Sequence, residues 1–249
     1  MNQFYFKFFK FLLHLSKNYF SKNIYDKMPI FCKKPSYKVY TNAMLLIYDF
    51  FVLSFSNTVI WRCSSNHILK LYKKCISDNH LEIGVGTGYF LKKSIGKIND
   101  NSRLVLMDIN SNCLKRALKN IHHKNAECRQ IDIFHIESIK TKIQSFDSIG
   151  LNYVLHCLPG AIAKEKVEII QCISQLLNPG GLVFGSTIIS NTGRHSRISL
   201  FFSFLYNNIL KTFNNKNDTY EDLKKSFNSC FSEVQITQIG SVALFIAKK

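Results

Sequence analysis

The segment Leu81-Glu82-Ile83-Gly84-Val85-Gly86-Thr87-Gly88-Tyr89-Phe90 sets three glycines at alternate positions between a short apolar run and a helical pattern. A strand, a glycine turn and a helix in that order bring backbone N–H groups and a positive helix end to a bound ligand, and glycine lets the main chain approach it closely. Asp108 lies 20 residues after Gly88, at the end of the next apolar run. A carboxylate there can accept both hydroxyls of a ribose, although capping the next helix is the plainer role. His156 stands just past another apolar run, four residues after Asn152. It could take a hydroxyl proton near neutrality, or simply pack as a loop histidine. These residues alone leave two ligand classes open. A dinucleotide site calls for G-x-G-x-x-G, but Tyr89 occupies the third glycine's place and Gly88 comes one residue early. The Gly-Lys-Ser/Thr of a P-loop is absent.

The elements that must position these residues follow from periodicity. Residues 41–78 read as helical, with Ser64 or Ser65 capping the last helix. Strands are expected at 80–84, 103–108, 126–131, 146–152 and 182–189. Helices are expected at 89–98, 112–120 (capped by Asn110 or Ser111) and 164–177, the last stopped by Asn178-Pro179-Gly180-Gly181. Strands alternating with helices imply an α/β fold with a doubly wound, mostly parallel sheet. The alternation breaks after residue 190. An aromatic stretch covers 198–213, a helix follows with Asp218 and Glu221 as a capping box, and two β runs, 233–239 and 242–247, meet at Gly240-Ser241 as a tight antiparallel hairpin.

Composition narrows the class. The chain has 249 residues, 46% hydrophobic and 20% charged, enough for one well-buried domain and too apolar for a disordered one. No apolar run reaches membrane-spanning length. The net charge is +17, yet it comes from 27 Lys and only 6 Arg, alongside 22 Asn. Arg is the better bidentate reader of phosphate and guanine, so a basic solvated surface explains the charge better than specific nucleic-acid binding. Eight Cys are scattered without a CxxC pair, which reads as free thiols in a reducing compartment and offers no metal site. Residues 1–40 form a basic, aromatic extension. There Lys7, Lys10, His14 and Lys17 make one helical stripe and phenylalanines cover the rest. Such a helix, over residues 1–30, could rest on an anionic membrane, or dock on the domain as a lid.

The pattern E-x-G-x-G-x-G, with Asp108 after the second strand, resembles motif I of the class I S-adenosylmethionine (SAM)-dependent methyltransferases. Asp147 to Tyr153 resembles motif IV, and Leu176-Leu177-Asn178-Pro179-Gly180-Gly181 resembles the family's turn into strand five. Ile47-Tyr48-Asp49-Phe50 and the stretch from Asn152 to Gly160 are similar to the type 12-like small-molecule enzymes of bacterial and fungal natural-product pathways. The resemblance implies a Rossmann-like seven-stranded sheet in the order 3-2-1-4-5-7-6, a domain over 41–249, and a substrate lid around 190–230. It implies that Gly84, Gly86 and Gly88 line the methionine and ribose part of SAM, and that Glu82 organises the loop near its ammonium. Asp108 would bind the ribose diol, Ile109 would lie on the adenine, and Asp132 and Ile133 would face its edge. Asn152 and Tyr153 would approach the sulfonium. Tyr48 is either a cofactor lid or an ordinary core aromatic. His156 is the candidate base. Phe201, Phe202, Phe204, Leu205, Tyr206 and Phe213 suggest an apolar or aromatic acceptor, although ordinary core packing of that helix explains the same residues. The expected protein is a cytoplasmic or membrane-peripheral methyltransferase of a small molecule; a nicotinamide oxidoreductase and a non-catalytic member of the fold are the alternatives.

Overall fold

The computed structural model describes residues 56–136, 145–190 and 195–249. The basic extension of residues 1–40, the membrane contact of residues 1–30 and Tyr48 therefore lie outside the described residues. A helix α1 (Ser65–Cys75) opens the described chain, with the Ser64 side chain accepting from the Asn66 N–H. Strand β1 (Asn79–Ile83) then leads into the glycine turn. The following strands are β2 (Arg103–Asp108), β3 (Ala126–Gln130), β4 (Phe146–Asn152), β5 (Leu177–Ile188), β6 (Glu233–Ile239) and β7 (Val242–Lys248). They form one sheet in the order β3-β2-β1-β4-β5-β7-β6, as the resemblance implied. The first five strands pair in parallel, and β7 runs antiparallel to both β5 and β6.

Parity along the strands divides the core. Leu81 and Ile83 of β1, with Val105 and Met107 of β2, face a layer that includes α4 (Glu165–Gln175) and α6 (Tyr220–Asn228). Leu104 and Leu106 turn the other way, to Tyr72 of α1 and to Leu114 and Ala117 of α3 (Ser111–Ile121). Successive side chains of a strand point to opposite faces, and a parallel sheet buries both.

Several local expectations change. The helix expected over 89–98 is α2 (Tyr89–Lys92) alone, followed by a 3-10 turn at Ile95–Lys97. Ser94 and Gly96 lower helix propensity there. The Asn178-Pro179-Gly180-Gly181 stop lies inside β5, not before it: Leu177 already pairs with Phe146, and an irregular register carries the ladder past Pro179 and the positive-φ Gly180. Thr219, not Asp218, caps α6, accepting from the Asp222 N–H at 3.0 Å.

Asp218 turns inward instead. Its Oδ2 meets the Lys166 ammonium at 2.5 Å, with both side chains wholly buried. Its Oδ1 accepts from the Ile162 N–H at 3.0 Å, and Lys166 also donates to the Asn214 carbonyl at 3.1 Å. This pair ties the strap of residues 211–218 to α4. Removing one member of such a pair leaves a buried charge unmatched. Asp218→Ala is expected to lower unfolding free energy by about 3–5 kcal/mol, read from urea denaturation. The double substitution Lys166→Met, Asp218→Leu should recover most of that loss.

Candidate active site

The carboxyl ends of β1, β2 and β4 surround a cavity of about 520 Å³. That volume suits a ligand of nucleoside size or somewhat larger. Its floor is the glycine turn. Gly84, Gly86 and Gly88 have φ of +67°, +54° and +72°, a region that side chains with a Cβ rarely adopt. The Gly84 N–H donates to the Met107 carbonyl at 2.7 Å, which ties the start of the turn to the end of β2. A Cβ on Gly84 would overlap Val154 Cγ2, and one on Gly88 would come within 2.9 Å of Ile121 Cδ1. Around Gly86 a Cβ would meet nothing within 4 Å, so the open side of that residue is cavity. The turn is thus a main-chain cradle that a side chain would fill.

Two banks flank it. On the β2–β3 side stand Asp108, Ile109, Asp132 and Ile133. Asp108 Oδ2 accepts from the Gly86 N–H at 3.1 Å, and Oδ1 accepts from the Asn110 N–H at 2.8 Å. Asp108 therefore braces the cradle, while Asn110 caps α3. Burial raises the Asp108 pKa above the usual carboxylate range, and these N–H donors partly oppose the rise. Asp132 accepts from the Phe134 N–H at 3.1 Å at the start of a 3-10 turn.

On the β4 side stand Glu82, Asn152 and Tyr153. Tyr153 has φ +55°, a strained conformation for a tyrosine, held by its N–H donating to the Ser186 carbonyl at 2.8 Å. Glu82 bonds to two side chains. Tyr72 O–H donates to its Oε1 at 2.5 Å, and His80 Nε2 lies 3.0 Å from its Oε2.

The described site residues expected around the cofactor all line this one cavity. His156 does not line it. Its ring is buried beneath the wall, with Phe213 edge-on at 4.5 Å, and its Nδ1 accepts from the Ile188 N–H at 3.4 Å. Burial, then the Lys166 charge, lowers its pKa to about 3. An imidazole so placed serves the core and is a poor base. The aromatic stretch divides: core packing takes Phe202, Tyr206 and Phe213, while Phe201 and Phe204 are exposed. Phe202 of α5 (Arg197–Phe204) is buried, and Tyr206 and Phe213 pack on Trp61; Lys211 and Asn214 are the residues that this stretch and the strap beyond it send to the cavity. Sequence reading missed Tyr72, which looked like any apolar helix position, and Leu158 and Pro159, which complete the wall beyond Tyr153. Among the described residues no cluster of metal-ligating side chains occurs, and no helix is long and apolar enough to cross a membrane.

A methyltransferase-domain family model matches residues 81–183, the stretch from β1 to β5 that carries the cradle and both banks. The chain is 32% identical over 208 residues to the demethylluteothin O-methyltransferase of Streptomyces thioluteus, covering 84% of this chain and 88% of that one. It is 35% identical over 216 residues to the methyltransferase ctvB of Aspergillus terreus, covering 84% and 93%. This chain is a class I SAM-dependent methyltransferase. The fold is shared with an O-methyltransferase family protein from Burkholderia thailandensis, with a TM-score of 0.58 at 18% identity, over 74% of the methyltransferase and 56% of that chain.

Gly84→Ala in this methyltransferase should cost roughly 2 kcal/mol or more from overlap and backbone strain together. Val154→Ala in the same chain should relieve the overlap but not the strain, which paired thermal denaturation would show. The buried His156 supplies a pH dependence. Its native pKa is depressed to about 3, so below the unfolded value of about 6.5 the unfolded chain binds a proton that the native one does not. Stability is intact above that value and falls with pH by up to about 1.4 kcal/mol per unit down towards pH 3. Urea midpoints between pH 7 and 4 should fall less steeply in His156→Gln.

Proposed function

We propose that this methyltransferase moves a methyl group from SAM to a small, largely apolar molecule. The observation that carries the reading is the charge of the cavity wall. In a chain of net charge +17, the described wall bears three carboxylates, Glu82, Asp108 and Asp132, against one ammonium, Lys211. A local excess of negative charge favours a cationic ligand such as a sulfonium.

In this reading Asp108 turns its remaining lone pairs to the ribose hydroxyls while its backbone contacts hold it still. Ile109 and Ile133 enclose the adenine, with Asp132 at its edge. Gly86 leaves room for the main chain to touch the ligand. Asn152 and Tyr153 border the reacting end. The cofactor, when bound, supplies a methyl carbon already activated by its leaving group. What remains for the protein is alignment of the acceptor and exclusion of water. Tyr153, Val154, Leu158 and Pro159 form the apolar wall that would orient the acceptor, and the segment from 190 to 230 contributes Lys211 and Asn214 to its rim.

Calorimetric titration with SAM and with NADH tests the assignment. SAM should bind and NADH should not, and Asp108→Ala should raise the SAM dissociation constant more than about tenfold through loss of the charge-assisted bonds. Binding of NADH alone would overturn the reading.

A further inference from the structure

A line of polar side chains crosses the otherwise apolar core beneath the cavity. On β1, His80 and Glu82 share a face; beside them on β4 stand Ser148 and Gly150, in register with them, and Ser186 of β5 lies next to Asn152. Helix α1 closes over this face with Tyr72. Tyr72, His80, Glu82, Ser148, Asn152 and Ser186 are all buried.

The bonds converge on Glu82 from two sides. Tyr72 O–H donates to Glu82 Oε1, so the Tyr72 oxygen accepts from Asn152 Nδ2, at 2.8 Å. Asn152 Oδ1 in turn accepts from Ser186 Oγ at 3.1 Å, which sets the orientation of the amide. On the other side of Glu82, His80 Nε2–H donates to Oε2 at 3.0 Å, and His80 Nδ1 faces Ser148 Oγ at 2.8 Å. Ser148 Oγ also accepts from the Ser77 N–H at 3.0 Å. Burial, reinforced by the neighbouring carboxylate, holds the Tyr72 pKa well above its ordinary value, so Tyr72 remains a donor. The Glu82 side chain leans over β4, where a Cβ on Gly150 would overlap its Oε2.

We infer that Tyr72 and His80 are positioning residues: they clamp Glu82 from both sides and, through Tyr72, fix Asn152, so that one carboxylate and one carboxamide form a rigid wall for the charged amino-acid end of the cofactor. The inference rests on the SAM reading above. It takes from the resemblance that the amino-acid end lies on the Glu82 side and the nucleoside on the bank of Asp108 and Asp132. A glutamate has several rotatable bonds, and a clamp on each oxygen removes the freedom that ligand binding would otherwise have to freeze.

Calorimetry on the full chain with two probes separates this role from simple packing. S-adenosylhomocysteine carries the amino-acid end on a neutral thioether; 5′-methylthioadenosine is the corresponding nucleoside thioether without that end, so the sulfonium charge does not enter the comparison. Tyr72→Phe should weaken S-adenosylhomocysteine by about tenfold and methylthioadenosine by no more than about twofold. Glu82→Gln, which keeps the size of the side chain and removes the carboxylate, should show the same selective loss and reads the same ratio if Tyr72→Phe does not fold. An unchanged ratio of the two affinities in the folded variants overturns the inference, whether both ligands weaken equally or neither does. Failure of the unaltered protein to bind either probe overturns the cofactor reading, and the inference with it.

Discussion

Glu82 puts a carboxyl group in the buried interior of the sheet, and the residues packed around it supply its hydrogen bonds. A lone carboxylate in an apolar core costs several kcal/mol. Here each oxygen has a donor, and neither donor comes from the glycine turn that the carboxylate underlies. Tyr72 brings α1 down onto the sheet, stacks on Phe90 at 5.8 Å and meets Phe184 edge-on at 5.0 Å. His80 stacks on the same Phe184 at 5.8 Å. The polar contacts that satisfy the carboxylate are therefore locked by aromatic packing. The one residue beside Glu82 on β4 is a glycine because nothing larger would leave room for the side chain.

The cavity differs in charge from the chain as a whole. The chain is strongly basic, while the charged side chains of the largely apolar cavity wall are three acids and one lysine. The two acids outside the Glu82 clamp are anchored by backbone N–H groups: Asp108 by Gly86 and Asn110, Asp132 by Phe134. Fixed carboxylates cost nothing to reorganise when a cation arrives. The outer rim is held differently. The strap of residues 211–218 has few apolar anchors, and the buried Lys166–Asp218 pair fastens it, with Asn215 donating from Nδ2 to the Ile188 carbonyl at 2.8 Å.

The residues that depend on local rules were legible. Glycines between a strand and a helix, an acid 20 residues on, and a two-residue link between closing strands are short-range signals. They sufficed for a mostly parallel sheet closed by a hairpin; the strand order and the residues placed around the cofactor came from the family resemblance that those signals carry. Elements weakly specified by their own sequence were misjudged: the helix after Tyr89 broke early at Ser94 and Gly96, and the apparent turn at Pro179 was absorbed into β5 as an irregularity.

What only the tertiary structure decided was the partner of each buried polar group. Tyr72, His80, Asn152, His156, Lys166 and Asp218 all have types and positions compatible with catalysis, capping or plain exposure. Which of them faces the cavity depends on how α1, α4 and the strap pack against the sheet, over sequence separations that no local pattern spans. His156 was expected beside the acceptor and lies under the wall; Tyr72 carried no functional expectation and reaches the cavity. Local propensity sets where the chain turns, whereas the need to satisfy every buried donor and acceptor is settled only when distant segments meet.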